Sequence, residues 1–515
     1  MTAERLNLTP RTRSQRLRGD THATTAGGQR PRGRASGKRR PRVLMITEGT
    51  YPYAVGGVSS WCDVVIGRLT ETEWDILPIV AGGRRWAQNY ELPAHARLLR
   101  PIELWTQDPP PRRLRRWRAD ASACIPTQLL NGLIPWEGDL AGLTQALVQC
   151  RRRPEEIRRG FRSREAWELY VRALQDVLTS QHEDSAPAPI YDTIDAARLY
   201  QVLYWVARTA AVPTPPCSLL HVTAAGWAAI PALIHKALHG TPLLLTEHGV
   251  YVREAYLASV RDTSASLGER HMSTRLALGL TRAAYDAADV IAPVTEANGA
   301  WERGLGVDPA KIRVIPNGID PTGGLTPAPN AQKVISVGRI DPLKDVQTLL
   351  LVADEVTRRM PGVQFEHYGP PTAGEELYAQ ACERMHAQLG LADRFRFMGR
   401  TTDPLGVIRS ADVLLMTSIS EAMPMTLLEA MAQGRPTVAT SVGGVPGILS
   451  GCGFVVPPGD VHGLAGAVLA LVRDPTLAAE LGRRGYERLH QRYTLDRCTA
   501  DYGSLIGQLI AGAVA

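Results

Sequence analysis

Seven cysteines in 515 residues are odd in number, scattered and without a Cys-x-x-Cys pair. That leaves no framework for a disulfide-stapled fold or a zinc module, and suits a reducing compartment. Asp-x-Asp, His-Glu-x-x-His and clustered His/Cys sets are also missing, so a metal-dependent mechanism gains no support. Aromatic residues make up only 6% of the chain. Uninterrupted apolar runs of membrane-spanning length are lacking. Thr209–Ile234 is broken by Pro213, Pro215, Pro216 and Pro231, and Pro436–Gly459 carries four prolines and six glycines. Neither can hold a continuous helix in lipid, so both are expected as strands and turns of a soluble fold. The uncharged end, Tyr502–Ala515, is too short to span and is expected to pack as a helix. The N-terminus has no continuous apolar core of the kind a secretory signal needs. The expectation is a cytoplasmic protein, with at most peripheral membrane contact.

What is present is ordinary for a soluble enzyme: 44% hydrophobic and 21% charged residues. At ~150 residues per domain the length implies two to four units. The formal charge of +7 is unevenly spread, because residues 1–42 hold twelve Lys+Arg against two acids. That leaves 46 basic and 49 acidic residues in the remainder, a slightly acidic body. The tail is rich in Arg, Gly, Ser and Thr and is expected to be disordered. It could serve an anionic partner, but a solvated extension is the simpler expectation, and no nucleic-acid partner is expected.

Short apolar runs punctuated by Gly and Pro predict strands at Arg42–Thr47, Trp74–Val80, Ser218–Val222, Pro242–Thr246 and Asp289–Val294. A second series is predicted at Lys333–Gly338, Val363–Tyr368, Arg394–Met398, Ala411–Met416 and Pro436–Thr440. Helix-length segments separate many of them; after the first strand, Val58, Trp61, Cys62, Val65 and Leu69 share one helical face. Strands alternating with helices imply parallel sheets covered on both sides. Residues 84–215 depart from this rhythm and are expected to form a mostly helical insertion, with a helical pattern from about Glu155 to Thr179. Two of its Arg clusters, Arg112–Arg118 and Arg151–Arg159, read as solvated faces or as a surface for an acidic partner. Pro321–Gln332 has the composition of a linker. The expected fold is α/β: two doubly wound domains, 43–320 and 321–492, facing across a cleft at their strand carboxyl ends. The segment 493–515 is expected to follow as a last helix.

Four segments have the residue types for chemistry. Gly56 and Gly57 lie between the first strand and first helix, where backbone N–H groups meet an anionic or polar ligand. Alone, such a doublet is a plain turn more often than a site. Arg339 and Lys344 stand in the loop after the first strand of the second series. A guanidinium fork and an ammonium suit a diphosphate whose charge grows as it leaves, unless they pair with Asp341 or Asp345. Ser418–Pro436 follows another strand, with Pro424 marking the first turn of a helix. Glu421 is placed in the loop and Glu429 one turn inside; eight residues at ~100° leave them roughly 80° apart. Two separate tasks follow: Glu421 at the reacting group and Glu429 gripping vicinal hydroxyls. Backbone N–H groups and the helix dipole at Met423, Pro424 and Met425 offer an anion or hydroxyl site. Standing alone, the two glutamates would be read first as a plain helix cap, Glu421, and a surface charge, Glu429. His248, at a strand carboxyl end, is a cleft residue or a structural histidine.

Gly-Arg-x-x-Pro-x-Lys, followed about 75 residues later by Glu-x7-Glu-Ala-Met-Ala-x-Gly-x-Pro-x-Val-Ala-Thr, resembles the retaining GT-B glycosyltransferases of family four. The likeness runs over nearly the whole ordered chain. Glu48–Trp61, Glu247–Glu254 and Ser418–Glu421 further resemble the PelF group, cytosolic glycosyltransferases of Pel exopolysaccharide synthesis. The resemblance implies a GT-B fold and a retaining transfer from a nucleotide-sugar donor, UDP-linked, to a polysaccharide acceptor. No metal or cofactor is implied, and an inner-membrane synthesis and export complex is an implied partner. It puts Arg339 and Lys344 on the diphosphate, Glu429 on the ribose and Glu421 near the anomeric carbon. His248, Gly56 and Gly57 would line the sugar and phosphate from the first domain, and the last helix would cross back onto that domain. Ala422 departs from the glycine many relatives have there, which bears on which sugar is taken. A nucleotide-sugar 2-epimerase on the same fold, or an enzyme of another glycan pathway, is the alternative.

Overall fold

The computed structural model describes residues 40–83, 86–106, 121–180, 191–262, 264–321, 325 and 332–513. The basic tail up to residue 39, the cluster Arg112–Arg118 and most of the linker Pro321–Gln332 lie outside them.

The first sheet consists of β1 (Arg42–Glu48), β2 (Glu73–Ala81), β3 (Ala96–Leu98), β4 (Ile102–Leu104), β5 (Leu219–Val222), β6 (Leu243–Glu247) and β7 (Val290–Pro293). Its order is β3-β2-β1-β5-β6-β7, with β4 also beside β2, and every pairing is parallel. The second sheet holds β8 (Lys333–Val337), β9 (Gln364–Tyr368), β10 (Phe395–Gly399), β11 (Val413–Met416), β12 (Thr437–Thr440) and β13 (Gly453–Val456), in the order β10-β9-β8-β11-β12-β13. All its strands are parallel too. The central strands read as continuous apolar runs because helices cover both faces; β5 and β6 are buried at every position. In each sheet the strand order reverses once, between β1 and β5 and between β8 and β11. Chains leaving neighbouring strands there turn to opposite faces and open a crevice.

Three strands escape the sequence reading. β3 and β4 are three residues long, and only the two ends of β4 are buried. β13 is a half-buried edge strand that begins on glycine. None offers the apolar run that identifies a strand. Among the described residues of 84–215, β3 and β4 extend the first sheet, and helices starting with Ala121–Cys124 make up most of the rest. The pattern from Glu155 to Thr179 is two helices, Pro154–Gly160 and Arg164–Ser180. Gly160 ends the first, and the Ser163 hydroxyl accepts the Ala166 N–H at 3.1 Å to start the second. These helices share a core, including Leu129, Leu133, Leu147, Tyr170 and Leu203, with Ile230 and Leu280 of the sheet-covering helices.

The chain passes between the domains twice. Ile319 on the outward crossing and Thr494 on the return form a parallel bridge, with Ile319 N–H donating to Tyr493 O at 3.0 Å and Leu495 N–H to Ile319 O at 3.1 Å. Arg68 grips both crossings, holding Asp320 through 2.8 and 3.0 Å bonds and pairing also with Asp496. The final helix, Leu495–Gly512, then packs on the first domain. Tyr502 is fully buried, its ring 5.1 Å from that of Trp61, in a cluster with Val43, Met45 and Val65. Replacing a buried aromatic side chain by alanine costs ~3–5 kcal/mol. Tyr502→Ala should therefore lower the stability of the first domain by about that amount, read from its urea midpoint. An unchanged midpoint would mean that the first domain closes its core without this helix.

Candidate active site

The two loops at the reversal of the second sheet meet. After β8, Asp341 accepts the Leu343 N–H at 2.9 Å and the Thr372 hydroxyl at 3.0 Å, while Asp345 accepts the Thr348 N–H at 3.2 Å. Both acids beside the cations are thus committed to capping and bracing. Neither takes Arg339 or Lys344, so the expected alternative of a local ion pair does not arise. Arg339 is exposed and bonds to nothing among the described residues. Lys344 instead reaches across to the loop after β11 and pairs with Glu421, whose Oε1 also accepts the Ser418 hydroxyl at 2.7 Å. The two loops are further joined by Ile419 N–H to Leu343 O at 2.8 Å and by the Thr417 hydroxyl to Lys344 O at 3.0 Å. The Lys344 side chain is 30% exposed and that of Glu421 10%, so the lysine is the more accessible partner of the pair. An ammonium has three donors, and Glu421 occupies one.

Gly443 backs the Glu421 loop from the end of β12. Its φ is +50°, and a Cβ there would lie 1.6 Å from the Glu421 carbonyl oxygen. The adjacent Gly444 donates its N–H to Ala422 O at 2.9 Å. The Ala422 methyl packs on the apolar cluster containing Val294 and Met416. Beyond it the helix Met425–Ala432 begins with Pro424 as its cap, not inside its first turn, and no side chain caps it. Proline has no N–H, so the free donors start at Met425. The Met423 and Pro424 side chains are buried, and the Met423 sulfur accepts the Asn317 N–H at 3.2 Å. Glu429 lies one turn inside this helix, half-buried, with no side-chain partner among the described residues; burial pushes its carboxyl above the ordinary value.

From the first domain, Gly56 caps the helix Gly57–Arg68 in extended geometry, again without a side-chain bond. A Cβ on Gly57 would stand 4.0 Å from the Met425 side chain, so two uncapped helix N-termini face each other across the cleft. His248 follows β6, half-buried, its ring edge-on to Trp61 at 4.6 Å. Its Nε2 has no partner, and burial pushes its pKa down to about 4, which keeps the imidazole neutral near pH 7. Of the sequence-predicted residues, Lys344 and Glu421 touch and Gly57 faces Met425. Arg339, Glu429 and His248 make no hydrogen bond to any of these.

Two contributors were missed. Gly443 was visible as a glycine doublet after a strand, the same signal that picked out Gly56 and Gly57. Arg253, in the helix Tyr251–Arg261 of the first domain, donates from Nη1 to Ser420 Oγ at 2.6 Å. That helix is pinned by two buried or nearly buried glutamates: the Tyr251 N–H donates to Glu247 at 3.0 Å, and its hydroxyl to Glu48 at 2.9 Å. Glu247 also accepts the Tyr285 hydroxyl and faces Glu302, and both of these glutamates are fully buried. Burial and the neighbouring carboxylate hold Glu302 far above its ordinary value of 4.5. A carboxyl raised in this way adds full stability in acid and loses it as pH climbs through the folded value. Above about pH 4.5, stability should therefore fall more steeply in the wild type than in Glu302→Gln. Melting temperatures from about pH 5 to 9 check this, and parallel curves would contradict it.

Residues 41–310, more than half of the chain, match the family described as Domain of unknown function (DUF3492), and residues 331–474 match Glycosyl transferases group 1. The chain is 28% identical over 337 residues to a D-inositol 3-phosphate glycosyltransferase of Mycobacteroides abscessus, covering 61% of this chain and 72% of that protein. It is 32% identical over 183 residues to the lipopolysaccharide core biosynthesis glycosyltransferase LpsE of Rhizobium meliloti, covering 35% of this chain and 51% of that one. The chain thus spans only about half of the second relative's length. Anabaena HepE, solved in complex with UDP-glucose, aligns over 91% of this chain and 100% of its own with a TM-score of 0.55 at 15% identity. At that identity the likeness shows the fold, two facing Rossmann-like domains of the GT-B kind.

Proposed function

The chain belongs to the DUF3492 family and carries a group 1 glycosyl transferase domain; on that premise we propose that it is a retaining glycosyltransferase of the PelF kind. It moves a sugar from a UDP-linked donor to a growing exopolysaccharide, without a metal ion. One observation carries the reading. The Lys344–Glu421 pair lies at the strand-order reversal of the second sheet, beside a helix N-terminus that faces Gly57. As the bond from the anomeric carbon to the diphosphate breaks, negative charge grows on the departing nucleotide. Lys344, Arg339 and the N–H groups from Met425 onward receive that charge. Glu421 sets the ammonium in place and stands next to the reacting sugar, while Glu429 is left for the ribose hydroxyls. His248, neutral, bonds a sugar hydroxyl rather than a phosphate.

Naming the PelF kind rests on Glu48–Trp61, Glu247–Glu254 and Ser418–Glu421, three segments that the fold brings to one cleft. Support for a UDP donor comes from HepE, which takes up UDP-glucose on the same fold. The test is a panel of nucleotide sugars with an oligosaccharide acceptor, read by nucleotide release and by the anomeric configuration of the product. Transfer with retention, undiminished by a chelator, is expected. A free epimerised sugar would make the protein an epimerase, and loss of activity in chelator would remove the metal-independent step.

A further inference from the structure

One helix of the first domain carries a cation to each of the two loops that meet beneath the cleft. The helix Tyr251–Arg261 has no buried residue of its own. Its first turn is nevertheless fixed from behind, because Glu247 and Glu48 hold both polar ends of Tyr251. Arg253 lies in that turn and reaches Ser420, which is buried and adjacent to Glu421. Arg261, at the far end, comes within 3.7 Å of Asp341, at the start of the turn that carries Lys344. Arg253 uses Nη1 for Ser420 and for Glu254 at 3.1 Å, and its other guanidinium nitrogens bond to nothing among the described residues. A guanidinium presents five donors in a rigid fork that matches phosphate oxygens, so most of its capacity is unspent.

We propose that Arg253 is a diphosphate ligand supplied by the first domain, completing a set whose other cations, Lys344 and Arg339, belong to the second. The proposal rests on the reading of the site as one for a nucleoside diphosphate. A guanidinium one residue from the Lys344–Glu421 pair, but anchored on the opposite wall, bonds the ligand only while the two walls are together. Binding the diphosphate and closing the cleft then become one event. A sugar donor whose diphosphate is gripped from both walls is shielded from water as it reacts.

Calorimetric titration of the full chain with UDP and with uridine tests this. A lost charge-assisted bond to phosphate corresponds to about 10- to 100-fold in affinity. Arg253→Ala should weaken UDP binding by that factor and leave uridine binding unchanged, and Arg253→Lys should recover only part of the loss. Ser420→Ala, which removes the present partner but no charge, should keep UDP affinity within about threefold. If Arg253→Ala binds UDP like the wild type, or loses uridine equally, Arg253 is only a brace for the Ser420 loop and the proposal falls. Lys344→Ala, run in parallel, separates the two levels. Weakened UDP binding there with an unaffected Arg253→Ala overturns this inference alone, whereas a wild type that binds no UDP overturns the reading of the site.

Discussion

Lys344→Ala should lower kcat/KM for sugar transfer on the order of 10³-fold while leaving the melting temperature within a few degrees. Two losses add in that variant. The departing diphosphate loses a positive charge held at the place where its own charge develops, and removing one such preorganised donor costs about 10²–10³-fold. Glu421 also loses its cation and keeps only the Ser418 hydroxyl, so the carboxylate is free to shift and adds a negative charge to a site built for an anion. Stability changes little because the lysine is nearly one third exposed and solvent screens the pair. The double variant Lys344→Ala/Glu421→Ala isolates the coupling. If Lys344 acted only by holding Glu421, the double variant would match Glu421→Ala alone. A further fall beyond Glu421→Ala is expected, since the ammonium also meets the ligand. Turnover near the wild-type rate in Lys344→Ala would remove the loop after β8 from the chemistry.

Gly443→Ala is the second substitution with a large expected effect, although Gly443 carries no functional group. The methyl group would meet the Glu421 carbonyl oxygen at 1.6 Å, and a φ of +50° is a conformation that side chains rarely adopt. Something must move, and the loop behind Glu421 is the adjacent part. A displacement of ~1 Å in a catalytic group costs on the order of 10²-fold in rate. Transfer should fall by about that factor, with weaker loss of nucleotide affinity, because Arg339 and the β8 loop keep their own supports. Gly447→Ala, in the short helix Val445–Ile448 that follows, is the matched control: nothing lies within 4 Å of a Cβ there and the backbone is helical. It should retain activity within about threefold, a difference that simple loss of a glycine does not account for. Equal rates in the two variants would mean that the Glu421 loop tolerates displacement.

Why one double glycine was picked out and the other, though equally visible, was passed over shows how far the sequence reaches. Gly56 and Gly57 stood out because they separate the first strand from the first helix, a position with a known physical use. Gly443 and Gly444 occupy the equivalent place after β12, but their importance comes from the carbonyl they back, a contact between residues 22 apart in the chain. The Lys344–Glu421 pair has the same character over 77 residues. Each partner could be assigned to a strand end, yet their meeting requires β8 and β11 to be neighbours, which only the order of the folded sheet decides. Strand runs were readable where both sheet faces are covered, and unreadable at β3, β4 and β13, which are short or half-solvated. Arg253 sat within a segment already singled out, but nothing in its spacing indicated that the helix after β6 would lean on the other domain.

The double crossing at Ile319 and Thr494 bears on the order in which this protein can be made. Residues 332–492, synthesised second, form an unbroken stretch that holds the whole of the second sheet. The first domain begins earlier on the ribosome, yet Tyr502 and Ile506, which sit in its core against Trp61, emerge only after the whole second sheet. Until they arrive, the faces of Trp61, Val65 and Met45 lack their cover, so the domain begun first is completed after the second. A chain stopped short of residue 495 would carry the whole second domain tethered to a first domain with an open core.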